Sequence, residues 1–335
     1  MITLEKDELY PLLFEPAYKQ VMWGGHKLAE KFGRPLPEDG VPVGEAWEIC
    51  DRTEYDSPVI NGPYKGVTLH QFVQTFGQDF VGKNFTGSRF PLLVKLLDAE
   101  KRLSLQVHPN EAACRKLGNG AEPKTEMWYI IDAAKNAKII AGLNPRSSKM
   151  KFVSALQSPD VESHLQVFDS KPGDAYFINA GRVHAIGAGN LILEVQQNSD
   201  TTYRISDWGR LDANGQPRTL HIEQALESID FMDRTVCRIV GPSDKVDYNR
   251  KFPVINRCPF FCVDELLLTS EWNDNTATTS SFHLLTAINS PFTVGKDEKI
   301  TEVPLGMTCL IPACFGRYTI TIPEGSHTTI IRTTL

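Results

Sequence analysis

The sequence lacks several features that would assign it to a broad class of proteins. It has no run of about 18 apolar residues, so no membrane-spanning helix is expected. Its 35 Lys and Arg are outnumbered by 41 Asp and Glu, and a net charge of −6 argues against general nucleic-acid binding. Residues 1–8 are too polar for a secretory signal. We therefore expect neither a membrane nor a nucleic-acid partner.

The cysteines also lack the pattern of a disulfide framework. There are seven, an odd number, at irregular spacings, which is typical of a protein of the reducing cytoplasm. Cys258, Cys262, Cys309 and Cys314 lack the two-residue spacing of zinc knuckles and lie in apolar, strand-like segments. We interpret them as buried free thiols, since free cysteine behaves as a small hydrophobic residue, although a structural zinc site is the alternative.

What the sequence does contain is many short β-branched or aromatic runs separated by Gly and Pro. This pattern predicts a mainly β fold of the sandwich, barrel or jelly-roll kind. A weak internal repeat relates residues 173–180 to residues 306–313, which indicates two related β-domains. The predicted helices are few and short; they cover residues 68–81, 111–117, 149–157 and 221–229, with a further helical turn from Pro159.

Four separated side chains form a possible metal site. Gln106 and His108 are two residues apart, so both side chains point to the same face of a strand. Glu126 opens an apolar strand, where a carboxylate needs a partner, and His184 ends a glycine–turn–strand unit. Two imidazoles, a carboxylate and an amide oxygen suit a divalent zinc, manganese or iron ion. The other histidines have no such context and are predicted not to be ligands; they are His26, His70, His164, His221, His283 and His327.

Five blocks in fixed order resemble a known family. They are FPLLVKLLDA, LSLQVHP, PKTEMWY, GRVHAIG and LEVQQNSDTTYRISDWGR. They resemble type I mannose-6-phosphate isomerase in its short bacterial form, within the cupin superfamily, over roughly residues 10–235 and more weakly beyond. The resemblance implies interconversion of mannose 6-phosphate and fructose 6-phosphate, with one Zn²⁺ per chain. It further implies that Gln106, His108, Glu126 and His184 are the zinc ligands and that Arg204 is catalytic.

The resemblance also sharpens the predicted architecture. It implies a mainly β chain with two cupin, or jelly-roll, β-domains and a small helical segment. We predict a catalytic cupin domain over residues 1–235, with a short helical insert at about 146–165, and a C-terminal cupin-like β-domain without metal ligands over residues 236–335. The expected partner is a hexose 6-phosphate, and the expected state is a monomer or weak homo-oligomer in the cytoplasm.

An aldose–ketose isomerase needs a base, a stabiliser of the developing oxyanion and a dry site. Arg204 stays charged at working pH, so its expected role is electrostatic, with Asp200 orienting it through a hydrogen bond. Glu194 lies in a strand that mixes polar and apolar residues and is a candidate base. It is equally a candidate partner for a ligand histidine, and a metal-activated water is another candidate base.

Several further side chains are candidate site residues. Lys124 is a candidate catalytic residue that can also contact the substrate, and Ser104, Lys95, Asp200 and Trp23 are candidate substrate contacts. Lys124 and Ser104 share strand faces with Glu126 and Gln106, respectively, if the strand of Glu126 begins early enough. Lys95 interrupts an apolar strand, so it is expected to meet a carboxylate or the substrate, with a snorkelling lysine at the strand end as the alternative. Trp23 is a candidate substrate contact that alternatively packs the sheet edge.

Two other functions compete with the isomerase. A metal-dependent cupin dioxygenase needs open coordination positions and gives no reason for Lys124 and Arg204 near the metal. A non-catalytic sugar-phosphate-binding cupin predicts loss of the ligands or of Arg204, and all of these residues are present. The isomerase is therefore the preferred hypothesis.

Overall fold

The structure is a computed structural model that describes residues 3–37, 40–118, 120–156, 158–212, 215–242 and 247–335, apart from the side chain of Pro159. Gln157, the predicted end of one helix, and residues 1 and 2 of the polar N-terminal segment lie outside the described residues. None of the described helices is long and apolar enough to cross a bilayer.

Strands dominate the described chain, which confirms the predicted mainly β fold. They are β1 Leu12–Leu13, β2 Ala17–Gly25, β3 Val43–Ile49, β4 Leu92–Ala99, β5 Leu105–Val107, β6 Glu126–Ala133, β7 Lys138–Leu143, β8 Leu165–Asp169, β9 Ala175–Ile178, β10 His184–Ile186, β11 Asn190–Gln197, β12 Tyr203–Ser206, β13 Arg238–Ile239, β14 Arg250–Ile255, β15 Cys262–Leu268, β16 Trp272–Asn275, β17 His283–Ala287, β18 Phe292–Lys296, β19 Lys299–Val303, β20 Thr308–Ile311, β21 Arg317–Thr321 and β22 Thr328–Thr334.

The helices are short. The α-helices are α1 Lys27–Phe32, α2 Leu69–Phe76, α3 Gln78–Val81, α4 Glu111–Leu117, α5 Lys149–Ala155 and α6 Ile222–Ser228, and 3-10 helices cover Lys6–Glu8, Pro159–His164, Thr276–Thr278 and Ala313–Phe315. Thr68 caps α2 through a capping box with Gln71, and Asn110 caps α4 by accepting from the amide of Ala113.

The local predictions differ from the structure in two places. The helix expected over residues 68–81 is split into α2 and α3, because Gly77 adopts a positive φ of 48° between them. Helix α1 lies in a segment that was expected to be extended. Its short length and its capping glycine, Gly33 in the left-handed conformation, leave little periodic signal in the sequence.

The chain divides into two compact units. The first combines residues 1–17, 47–93 and 242–335, and the second combines residues 18–46 and 94–241. The division into a domain over residues 1–235 and another over 236–335 stays a prediction.

The second unit contains a sandwich of two antiparallel sheets. One sheet has the strand order β13-β9-β6-β11-β4-β3-β2 and the other β12-β5-β10-β7-β8. Apolar residues from both sheets form one buried cluster, including Leu97, Trp128, Ile139 and Ile186. Their alternation with outward residues defines an inner face on each sheet, and polar residues that share this face point into the sandwich.

The outer face of the five-stranded sheet is apolar and covered by helices. Leu105 and Val107 of β5 and Tyr203 and Ile205 of β12 form a buried cluster that also contains Phe152 of α5 and Ala225 of α6. Because residues alternate along each strand, Gln106 and Arg204 are directed to the opposite, inner face. The packing of the outer face therefore fixes which polar side chains reach the interior.

The first unit contains two further sheets. Their strand orders are β1-β20-β17-β22-β15-β14 and β16-β21-β18-β19. Residues of both sheets, such as Leu285, Val294, Cys309 and Ile330, share one buried core. The seven cysteines of the chain are free thiols, of which Cys50, Cys237 and Cys309 are fully buried.

Candidate metal centre

His108, Glu126 and His184 converge in the interior of the second unit. One donor atom from each lies within 4.8 Å of the others. His108 Nε2 lies 3.3 Å from Glu126 Oε2, and His184 Nε2 lies 3.5 Å from Glu126 Oε1. All three side chains are at most 1% exposed. Two imidazoles and a carboxylate at this spacing can hold a divalent metal ion.

The sheets bring these residues together from distant positions. His184 begins β10, Glu126 begins β6, and His108 follows the last residue of β5. In the five-stranded sheet, Gln106 is the register partner of His184 on one side and of Arg204 on the other. Gln106 therefore lies next to the cluster on the same inner face, and its Oε1 accepts a 3.4 Å hydrogen bond from Ser104 Oγ.

Backbone carbonyls select the tautomer of both histidines. His108 Nδ1 lies 2.8 Å from the carbonyl oxygen of Thr201, and His184 Nδ1 lies 2.8 Å from that of Arg182. A carbonyl can only accept, so each Nδ1 carries a hydrogen and each Nε2 keeps its lone pair toward the cluster. This is the orientation that a histidine needs to coordinate a metal.

The cluster contains buried polar atoms that the rest of the described chain does not satisfy. They are His108 Nε2, His184 Nε2 and Glu126 Oε1, none of which makes a hydrogen bond there, whereas Glu126 Oε2 has the ammonium of Lys124 at 2.9 Å. Unsatisfied buried polar atoms are costly, and three of them in one place indicate a missing common partner. A metal ion meets this need for all three atoms, so the residues present fit a metal site.

The charges of the cluster also match the states that a metal requires. Burial, followed by the positive charge of Lys124, lowers the pKa of His108, and burial together with His108 lowers the pKa of His184 to about 3. Burial alone would raise the pKa of Glu126, but Lys124 and the two histidines bring it well below its ordinary value. The imidazoles are thus neutral and the carboxylate ionised near neutral pH.

A second group of charges lies beside the cluster. Lys124 Nζ is 2.9 Å from Glu126 Oε2 and 3.9 Å from Glu194 Oε1. Lys95 Nζ is 3.9 Å from the same oxygen of Glu194, 3.3 Å from Glu45 Oε2 and 3.6 Å from Asp200 Oδ1. Two buried ammonium groups therefore flank Glu194, and one of them also touches the carboxylate of the metal cluster.

Glu194 is held in an unusual environment. Burial, followed by repulsion from Glu126, raises the pKa of Glu194 to about 7, although Lys124 and Lys95 oppose the shift. Lys95 shows the complementary effect: burial lowers its pKa, but the carboxylates of Glu45, Glu194 and Asp200 raise it overall. A carboxyl group with a pKa near 7 is matched to proton transfer at neutral pH.

Comparison with known proteins identifies the family. Residues 12–135 match the family model described as phosphomannose isomerase type I, catalytic domain. Mannose-6-phosphate isomerase ManA of Bacillus subtilis is 43% identical over 224 residues, 66% of this chain and 68% of ManA. YvyI of the same organism is 36% identical over 325 residues, 96% of this chain and 98% of YvyI. The chain belongs to the type I phosphomannose isomerase family.

The fold agrees with a solved structure. The crystal structure of mannose 6-phosphate isomerase from Bacillus subtilis superposes with a TM-score of 0.83 at 33% identity, and the match covers 98% of this chain and 100% of that one. The predicted family and the predicted mainly β, cupin-type fold are thus confirmed. The ability of the His–Glu–His cluster to hold a metal is also as expected for a type I phosphomannose isomerase.

Most predicted site residues of this type I phosphomannose isomerase lie around the cluster. The structure brings Lys95, Lys124 and Glu194 into contact, and Ser104 is buried next to Gln106. Lys95 is not a snorkelling lysine, since it is 4% exposed and surrounded by carboxylates. The candidate roles of these residues in substrate binding and catalysis stay predictions.

Two expected contacts are not formed between the described residues. Asp200 lies beside Lys95 rather than orienting Arg204, whose Nη1 instead donates a 2.8 Å hydrogen bond to the carbonyl of Thr219. Glu194 is not the partner of a ligand histidine, because both histidines donate to backbone carbonyls. Trp23 is 5% exposed within the core cluster of the sandwich, so the sheet-packing alternative describes its environment.

Sequence reasoning gave no role to two residues near Glu194, although residues 45–48 resemble a block of the family. Glu45 of β3 supplies the shortest ion pair to Lys95, and Trp128 of β6 donates a 2.9 Å hydrogen bond from Nε1 to Glu194 Oε2. Trp128 could have been found from its position, since it is two residues after Glu126 and shares its strand face. Glu45 carries no comparable signal, because its pairing depends on a neighbouring strand that is distant in sequence.

Proposed function

We propose that this chain interconverts mannose 6-phosphate and fructose 6-phosphate through a metal-assisted proton transfer. The observation that carries the proposal is the juxtaposition of the His–Glu–His cluster with Glu194, whose pKa of about 7 suits a general base. The isomerase activity named for ManA and for the solved Bacillus subtilis enzyme supports the same reaction.

We infer that Gln106, His108, Glu126 and His184 hold one Zn²⁺ per chain. The neutral Nε2 atoms and the ionised carboxylate support this set, and the register of Gln106 with His184 supports the amide oxygen as the fourth ligand. A bound zinc ion supplies Lewis-acid polarisation of the substrate oxygens without redox chemistry. Burial of the cluster keeps competing water away from these donors.

Glu194 moves the proton in this proposal. Its carboxylate takes the proton from carbon 2 of mannose 6-phosphate, the enediolate forms, and the protonated carboxyl returns the proton to carbon 1 to give fructose 6-phosphate. The hydroxyl proton of O2 is transferred to O1, so atoms balance and no electron leaves the substrate. Trp128 fixes the carboxylate through its hydrogen bond, so the base is held in one orientation.

The cationic side chains stabilise negative charge. Arg204 of β12 is the register partner of Gln106 of β5, which in turn pairs with His184 of β10. We therefore propose that its guanidinium stabilises the enediolate oxygen. Lys124 and Lys95 lower the pKa of Glu194 and so limit the rise that burial causes. We also propose that these two lysines, with Ser104, contact the sugar hydroxyls and the phosphate. Asp200 pairs with Lys95 at 3.6 Å, and Trp23 is proposed to contact the substrate only if it can leave the core cluster in which it is buried.

The proposal also covers the location, the partners and the oligomeric state of the enzyme. We infer a cytoplasmic enzyme without nucleic-acid partner that works as a monomer or weak homo-oligomer. The acidic balance of the chain and its free thiols support this assignment.

The test is an anaerobic assay of the purified protein with fructose 6-phosphate, before and after chelation. We expect mannose 6-phosphate to form without oxygen, to stop forming after chelation, and to form again when zinc is added. Turnover that requires oxygen would favour a dioxygenase, and absence of turnover with any hexose phosphate would favour a non-catalytic sugar-phosphate-binding cupin. Either result overturns the proposed function.

A further inference from the structure

A cavity lies in the first unit, beside the sheet β16-β21-β18-β19. It has a volume of about 590 Å³ and is open to solvent. Besides the core residue Tyr318, five residues of its lining carry hydrogen-bond donors in their side chains and lie on β16, β18 or β21: Asn273, Asn275, Lys296, Arg317 and Thr319. None of them belongs to the metal centre, which is built from residues of the second unit.

Strand alternation aims four of these side chains, all except that of Lys296, out of the core and into the cavity. Tyr318 and Ile320 of β21 belong to the buried core of the first unit, so Arg317 and Thr319 are directed to the opposite face. Arg317 is the register partner of Asn275, and Thr319 is the register partner of Asn273. Cross-strand neighbours on one face have Cβ atoms about 5 Å apart, so the four side chains form one patch.

Both amides of the patch are oriented to donate. Asn273 Oδ1 accepts a 2.8 Å hydrogen bond from Thr319 Oγ1, and Asn275 Oδ1 accepts a 3.0 Å hydrogen bond from the amide of Ala277. The carbonyl end of each amide is therefore used inside the protein, and each NH₂ group is left to donate to a ligand.

Two cations also line the cavity. Lys296 shares a strand face with the core residues Phe292 and Val294, so it reaches the cavity at the end of β18 rather than from the face of Arg317. Lys296 is fixed by a hydrogen bond to the carbonyl of Phe315 and by the ring of that residue, whose centroid lies 4.5 Å from its Nζ. The side chain of Arg317 makes no hydrogen bond or ion pair with the described residues, and its guanidinium offers five donors in a planar fork. An ammonium, a guanidinium and two amide NH₂ groups thus line one cavity.

Two carboxylates also line the cavity, but they do not cancel its excess of hydrogen-bond donors. Asp274 is paired with Arg332, whose Nη1 lies 2.5 Å from Asp274 Oδ2, and it also accepts from the amide of Asn275. Asp297, at the hairpin between β18 and β19, is exposed like Lys296 and Arg317, so it offsets one of their two positive charges and leaves the other. The donors therefore outnumber the available acceptors inside the cavity.

We propose that this cavity binds the phosphate group of a small phosphorylated metabolite. A donor-rich site with an arginine fork matches the tetrahedral oxyanion of a phosphate, and the 590 Å³ volume also accommodates a sugar-sized remainder. The outer face of the sheet β12-β5-β10-β7-β8 is apolar and packed under α5 and α6. The outer face at this cavity instead carries Asn273, Asn275, Arg317 and Thr319, which favours a ligand over a covering helix.

The test compares binding stoichiometry between three forms of the full chain. Sorbitol 6-phosphate, which has no carbonyl group and is not isomerised, is titrated into the parent protein by calorimetry, with inorganic phosphate as a second arm. The test variant is Lys296→Ala combined with Arg317→Ala. The charge-matched control combines Lys65→Ala with Arg257→Ala, two exposed positions of the same unit outside the cavity lining.

We expect the test variant to bind one equivalent of sorbitol 6-phosphate fewer than the parent and the control, with unchanged isomerase turnover. Equal stoichiometry in all three forms overturns the proposal, whatever its absolute value. If inorganic phosphate shows the same difference, the site recognises the phosphate group alone. If only sorbitol 6-phosphate shows it, the polyol part is also recognised. The comparison does not depend on the activity of the metal centre.

Discussion

Trp128 connects Glu194 to His184. Its Nε1 donates a 2.9 Å hydrogen bond to Glu194 Oε2, while its ring packs edge-on against the imidazole of His184, with ring centroids 5.4 Å apart. One rigid, fully buried side chain therefore positions both the candidate base and a candidate metal ligand. The position of the proton-transfer group is thereby tied to the position of the metal.

Trp128→Phe should move the pH dependence of the enzyme. The indole hydrogen bond stabilises the charged form of Glu194, so its loss raises the pKa of Glu194 above about 7. The acidic limb of kcat/KM for fructose 6-phosphate should therefore shift to higher pH, and stability should fall by about 1–3 kcal/mol, since a buried acceptor loses its donor. The control is Trp208→Phe, which removes an indole hydrogen bond to the carbonyl of Leu103. An acidic limb shared by the two variants would contradict the linkage.

Glu194→Gln tests the base itself. The carboxylate acts only when ionised, so activity of the parent should rise with pH through about 7, where Glu194 loses its proton. The amide cannot accept the proton, and we expect kcat to fall by about 10²–10⁴-fold with the metal content unchanged. The measurements are a pH–rate profile and metal analysis on the same samples. A variant with near-parental turnover would assign the base to another group.

The site shows how far sequence reasoning reaches. The sequence predicted His108, Glu126 and His184 as members of one ligand set, and the structure brings these three together. Gln106 lies in β5 beside them, and its role as a ligand stays a prediction. The prediction that Lys95 meets a carboxylate was also sound, since a lysine in an apolar strand needs a counter-charge. Which carboxylate it meets was not predictable, because Glu45, Glu194 and Asp200 reach it through pairings between distant segments.

The expected contact between Asp200 and Arg204 is not formed, and the reason is again a pairing with a distant segment of the chain. Asp200 was expected to orient Arg204 because the two are close in sequence. Asp200, however, precedes β12, where the chain is not yet a strand, and its carboxylate turns to the buried ammonium of Lys95. A buried cation attracts a carboxylate more strongly than a half-exposed guanidinium that already donates to a backbone carbonyl. Sequence proximity alone carries no information on this competition.

His184→Ala should lower metal content. The variant loses one of two imidazoles and leaves Glu126 beside Lys124 and a single histidine, so zinc affinity should fall at least tenfold. The measurement is zinc per chain after dialysis against a fixed free-zinc buffer. His164→Ala is the control, because His164 bonds to Ser147 away from the cluster. A full equivalent of zinc in His184→Ala would remove His184 from the ligand set.

Arg204→Ala should separate catalysis from metal binding. Burial, followed by Arg218, lowers the pKa of Arg204, but a guanidinium remains charged at neutral pH and is suited to stabilising the enediolate. We expect kcat to fall by about 10²–10³-fold while zinc content and the unfolding midpoint stay close to parental values. Arg204→Lys should recover only part of the rate, since an ammonium does not reproduce the planar fork. Unchanged turnover of Arg204→Ala would exclude a role for Arg204 in the reaction.

Arg332→Met should destabilise the first unit in a pH-dependent way. Arg332 is 4% exposed and pairs with Asp264 and Asp274. Its removal leaves Asp274 without its cation and Asp264 with Lys251 alone, at 3.4 Å. We expect a loss of about 3–5 kcal/mol in the free energy of unfolding at pH 7. Burial raises the pKa of Asp274, but Arg332 and His283 lower it overall, so the folded-state pKa lies below the unfolded one. The stabilisation is therefore fully present above the unfolded pKa of this carboxyl group. It is lost as the pH falls through the lower, folded-state pKa. Urea unfolding of the variant and of the exposed control Arg257→Met should therefore differ strongly at pH 7 and progressively less below about pH 4. A difference between the two variants that does not change with pH would assign the role of Arg332 to packing rather than to its charge.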